Sequence, residues 1–114
     1  MIGLSLETKD EMLAIFTGQA LTVGLFTGES EIGDSRYRRM PVQFGAPQGD
    51  DTRYIENENY IRFDDLERDH IADHWGVFDE RSQLRAFYPL GERLEAPADD
   101  NFKILPGKLH IFIP

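Results

Sequence analysis

Histidines, serines and carboxylates are the side chains of this chain that could carry chemistry, and their spacing decides which. His70 and His74 stand four residues apart. On a helix that interval puts both imidazoles on one face, where they could share a metal ion. On a strand it separates them by about 13 Å, at roughly 3.3 Å per residue, too far for one ion. The segment HIADHWGVFD around them reads as a strand, so a shared ion is not expected. His74, beside Trp75, is expected to be partly buried with a backbone partner. Ser5, Ser30, Ser35 and Ser82 lie outside any G-x-S-x-G elbow, and nothing joins them to His70, His74 or His110 as a triad. Asp50, Asp51, Asp64 and Asp65 fall in turns but lack the spaced carboxylates of a calcium loop. With 21 acidic residues, some pair will sit at hydrolytic distance by chance, which is uninformative without a cleft. Trp75, Tyr54, Tyr60 and Tyr88 could stack on sugars, yet aromatics in short strands mostly fill cores. No glycine-rich phosphate loop is present. The expectation is therefore no catalytic residue, no metal ligand and no cofactor.

Composition narrows the class further. The 114 residues suit one domain with one core, expected to run over 1–114 with residues 1–19 as an N-terminal arm and helix. The chain has no cysteine, which excludes disulfides and thiolate zinc sites. Its start, MIGLSLETKDEML, lacks the basic region and apolar run of a signal peptide, and no apolar stretch approaches the roughly 20 residues that span a bilayer. Synthesis in a cytoplasm without export is expected. A formal net charge of −9 repels phosphate backbones and anionic headgroups, so neither nucleic acid nor membrane is an expected partner. The one basic cluster, Arg36, Arg38 and Arg39, reads as a solvated or interface-facing strand edge.

The elements that must position these residues follow from the hydrophobic period. Thr8 and Glu11 have capping-box spacing. Met12, Leu13, Ile15 and Phe16 then recur at helical intervals, with Gly18 as a stop. So short a helix must dock to be stable, on its own sheet or on a neighbouring subunit. Met12, Ile15 and Phe16, with Arg36, Arg38 and Arg39, are the candidate protein-interface residues.

From residue 20 the period becomes two. Ala20–Thr27 is expected as a strand with Leu21, Val23 and Leu25 on one face, and Gly28–Ser35 as a loop. Tyr37–Phe44 follows as a strand with Met40, Val42 and Phe44 together; Pro41, lacking an amide donor, marks an edge or a bulge. After the loop Gly45–Thr52, Arg53–Phe63 reads as one broken strand or two short ones, interrupted at Glu56–Asn59. Asp64–Asp69 is a charged turn. His70–Asp79 and Leu84–Leu90 form a hairpin, Gly91–Asn101 a polar loop, and Lys108–Ile113 the last strand after a Pro106–Gly107 turn. Gly24 and Gly76 inside strands mark bulges or close backbone approach. Many short strands with turns between them, and one short helix, predict an all-β fold. The expected form is an antiparallel β-sandwich, jelly-roll or Ig-like.

Several segments in order resemble a family of small bacteriophage virion structural proteins, whose members go under names such as tail-fibre or minor structural protein. They are LTVGLFTG at Leu21–Gly28, YRRMPVQFGAP at Tyr37–Pro47, HWGVFD at His74–Asp79, RAFYPL at Arg85–Leu90 and PGKLHIFI at Pro106–Ile113. Arg53–Asp69 is more charged than the family pattern and the Gly28–Ser35 loop is short. The resemblance implies a β-sandwich virion component without catalytic residues. Its partners would be other virion proteins, the major capsid protein or tail proteins, and it would form a homo-oligomer, a trimer among the options. Three readings follow: a capsid cement or decoration subunit; a tail or tail-fibre-associated subunit; and, from another class, a carbohydrate-binding module or small hydrolase.

Overall fold

A computed structural model describes residues 4–50, 52–63, 66–96, 98 and 102–113. The chain is all-β and antiparallel, with one short N-terminal helix, as the two-residue period requires. Helix α1 (Leu6–Leu13) runs into a 3-10 turn, Ala14–Phe16. Its cap is Ser5 and not Thr8: the Ser5 Oγ accepts the Thr8 N–H at 3.1 Å, so Thr8 lies inside the first turn. Glu11 then falls on the exposed helix surface rather than reaching back as a cap. Gly18 ends the segment as expected, its N–H meeting the Ala14 carbonyl at 3.2 Å.

The main sheet is built on β1 (Leu21–Thr27), β6 (His70–Phe78) and β7 (Leu84–Ala96). β1 pairs with β6 and β6 with β7; the short β2 (Ser30–Glu31) and β3 (Met40–Val42) share the other side of β1. β2 forms inside the expected Gly28–Ser35 loop, because Gly28 takes φ +61° and folds Thr27 back on Ser30. β3 is shorter than the expected strand, and Pro41 sits exposed on it, as an edge position tolerates. Phe44 makes only a single bridge, to Asn57.

Two ribbons complete the body: β4 (Arg53–Glu56) with β9 (His110–Ile113), and β5 (Ile61–Phe63) with β8 (Phe102–Ile104). The expected break at Glu56–Asn59 separates β4 from β5, except that Glu56 still pairs with His110 as the last residue of β4. β7 corrects the expected loop at Gly91–Asn101. It continues to Ala96 because, past a bulge near Asp73, His70–Ala72 pairs with Leu94–Ala96. Residues 97 and 99–101 of that stretch lie outside the described residues, as do Asp51, Asp64 and Asp65.

One apolar cluster joins these elements. Leu21, Val23 and Leu25 of β1 and Trp75 and Val77 of β6 belong to it with Ile55, Ile61, Phe63 and Ile111 from the ribbons, and Leu13 from the helix. The bidentate pair of Arg53 with Asp10, at 2.8 and 3.0 Å, fixes α1 against β4.

Candidate protein interface

The helix divides its apolar residues between two sides. Leu13 is fully buried and Phe16 packs against the core. Met12 and Ile15 point away, 43% and 45% exposed. Phe16 is thus an internal anchor, while Met12 and Ile15 are exposed apolar positions at the end of the segment, as Leu6 is at its start. On the 3.6-residue turn of α1, Glu7 and Glu11 lie in one i, i+4 row, and Met12 follows Glu11 directly on the exposed side. The outward ridge is therefore apolar with an acidic flank.

The arginine cluster also divides. Arg39 turns inward: its Nε and a terminal nitrogen donate to the Glu31 carboxylate at 3.0 and 2.9 Å, and the guanidinium lies 3.4 Å over the Phe78 ring. Tyr37 donates to the same carboxylate at 2.7 Å and accepts the Leu25 N–H at 2.9 Å. Burial works to raise the Glu31 pKa, but the bonds from Arg39 and Tyr37 outweigh it and hold the carboxyl below its usual value. Burial, with Glu31 beside it, pushes the Tyr37 phenol up. Arg39 is thus part of the scaffold, while Arg36 and Arg38 remain exposed.

The three histidines each meet a carboxylate. His70 and His74 lie on β6, as the strand reading required, and are engaged separately. His74 Nδ1 is 2.8 Å from Asp73, its ring stacked on Phe87 at 5.0 Å. This carboxylate partner replaces the expected backbone one. His110 lies 3.2 Å from Glu56.

His70 donates from Nε2 to Asp34 at 2.8 Å, and the Asp34 carboxylate also accepts the backbone N–H groups of Arg36, Glu67 and Arg68. That side chain has no exposed surface. Burial would raise its pKa, yet the N–H groups of Arg36 and Glu67, the His70 ring and the Arg68 N–H together hold it far below the carboxylate range. Asp34 is a staple between the β2–β3 connection and the start of β6. Among the described residues, no group of three His, Asp or Glu converges on a metal position. Trp75, 3% exposed and stacked on Tyr88 at 5.5 Å, is core rather than a sugar platform.

A second surface escaped the sequence reading. An open trough of about 450 Å³ runs between β7, β8 and the turn before β9. Leu90, Leu94 and Leu105 supply apolar lining, and Arg93, Lys103 and Lys108 the charge; among the described residues no carboxylate lines it. It adjoins an aromatic shelf of Tyr88 and Phe112, in contact at 5.4 Å. Asn57 shapes the trough's lip from below. It is 1% exposed, its Nδ2 donates to the carbonyls of Asn59 and Leu105, and its Oδ1 accepts the Leu109 N–H at 2.9 Å. These bonds hold the Leu105–Leu109 turn in place. Arg93 was hidden because Gly91–Asn101 reads as a polar loop, and Lys103 and Lys108, on separate segments, meet it only when β7, β8 and the turn before β9 come together. The usable signal was the isolated Leu105 before Pro-Gly, a large apolar side chain left at a turn.

Among the described residues, no helix is long and apolar enough to cross a membrane. No protein-family model, no curated protein and no solved structure matches this chain.

Proposed function

We propose that this chain is a non-catalytic structural subunit of a bacteriophage particle, a capsid cement or decoration protein that binds neighbouring virion proteins. The observation that carries the reading is the outward ridge of α1. Met12 and Ile15 stay exposed although Leu13 and Phe16 of the same short segment already anchor it. With Leu6, which is also exposed, that leaves three large apolar side chains in water on one short helical segment, which has a use when a neighbour covers them. The segments that resemble the virion family supply the class of neighbour. The polar groups support the same reading. Asp34, Glu31 and Asn57 each spend their bonds on holding loops and strands together, which suits a scaffold.

Locating the chain in a reconstruction of purified particles tests the proposal. A shell protein is present in copies on the order of hundreds, where many weak contacts act together. A tail component is present in far fewer, and that count would move the chain to the tail. Absence from particles overturns the reading. In a particle-binding assay, Ile15→Asp should abolish incorporation while the isolated chain keeps its fold.

A further inference from the structure

We propose that copies of this chain associate head to tail, the α1 ridge of one copy seated in the basic trough of the next. The two surfaces are complementary in both respects that matter. The ridge offers Met12 and Ile15 flanked by Glu7 and Glu11, exposed carboxylates with no partner among the described residues. The trough offers Leu90, Leu94 and Leu105 together with Arg93, Lys103 and Lys108. Leu105 is 52% exposed, the most exposed large apolar side chain described. A trough with three cations and, among the described residues, no carboxylate stands out on a chain of net charge −9. The acidic partner that it suits is present at every encounter between copies.

Within one copy the two surfaces do not meet, since Met12 and Ile15 are exposed and neither lines the trough, which leaves the contact to fall between copies. α1 is tied to the Arg53 end of the β4–β9 ribbon, where Arg53 faces Ile113. Leu109, on the trough, precedes the opposite end of β9. Three residue steps at about 3.3 Å each separate the two ends of β9 by roughly 10 Å of strand. Ridge and trough are different patches, so the contact is heterologous: repeated, it closes into a ring or extends as a filament. Asn57 serves as a positioning residue by fixing the trough's lip. The inference rests on the chain being a binding subunit, but not on its address in a particle. A chain absent from virions that still self-associates this way would leave it standing.

The absence of native cysteine makes the test direct. Ile15→Cys and Leu105→Cys variants are purified separately, mixed and mildly oxidised. Disulfide-linked dimers joining position 15 to position 105 are expected, well above the 15–15 and 105–105 products. Sedimentation velocity reads the same contact without cross-linking. Lys103→Glu should weaken self-association roughly tenfold, and adding Glu11→Lys to that chain should restore most of it. A wild-type chain that sediments as a monomer throughout overturns the proposal. So do cross-links that form without preference, and so does a Lys103→Glu loss that Glu11→Lys leaves unrepaired, which would give the trough to another acidic partner.

Discussion

The main sheet has two buried faces, and they are held by different physics. On the inner face Leu25 lies opposite Trp75 and Val23 opposite Val77, within the continuous apolar core. On the outer face Gly24 lies opposite Gly76, with Phe26 and Phe78 closing over them. A side chain at Gly24 would place its first carbon 2.6 Å from the Glu31 carboxylate and 2.8 Å from the Tyr37 hydroxyl. At Gly76 it would lie 2.7 Å from a Leu84 methyl and 2.9 Å from the Phe26 ring. The inner face is stabilised by volume. The outer face is stabilised by close approach to bare backbone, roofed by the Glu31–Arg39–Tyr37 group. A face can thus be buried without a core behind it, provided that small residues let a polar cluster lie flat.

The comparison can be broken by substitution. Trp75→Ala should have the largest effect, about 3–5 kcal/mol of lost stability, because it empties an indole's volume from the inner core. Denaturant midpoints would measure it, and a loss under 1 kcal/mol would mean that this face is not packed as described. Gly24→Ala should cost about 1–3 kcal/mol, since the added methyl collides with the Glu31 and Tyr37 oxygens. Gly76→Ala should cost less, because Leu84 is 48% exposed and its tip can turn aside, which leaves the Phe26 ring, at 2.9 Å, as the group that must give. Equal losses at the two glycines would show that the polar roof adds nothing.

Acid sharpens the contrast. The Glu31 and Asp34 carboxyls are held below their ordinary values. Between those folded values and the ordinary carboxylate range near 4, the unfolded chain binds more protons. Stability from these groups is therefore complete above about pH 5 and is lost as pH falls through the folded values. Urea midpoints should drop on acidification. Asp34→Asn should be less stable at neutral pH and should show a flatter acid slope; an unchanged slope would remove Asp34 as a source of the dependence. The smallest effect belongs to the helix ridge. Met12→Ser in the monomer should change stability by no more than about 0.5 kcal/mol, as for an exposed position.

How much of this was legible in the sequence depended on range. The inner face announced itself, because Leu21, Val23 and Leu25 alternate and that beat depends only on side chains pointing to opposite sides of a strand. The Glu56–Asn59 break and the Pro106–Gly107 turn were legible for the same local reason. The division of the helix was not: Met12, Leu13, Ile15 and Phe16 look alike in hydropathy, and only docking on β4 and β9 decides which are covered. Arg36, Arg38 and Arg39 likewise read as one basic edge. Arg39 left that edge because the β1–β2 hairpin carries Glu31 to it.

The sequence by itself determined an acidic, cysteine-free, antiparallel β protein with one short helix, since charge, residue type and the two-residue period are local properties. Tertiary structure decided the roles of Asp34, Asn57, Gly24 and Gly76, whose partners lie up to 52 residues away along the chain. It also decided where Arg93, Lys103 and Lys108 meet. A polar atom's importance is set by what it is buried against, and that is known only once distant strands have come together.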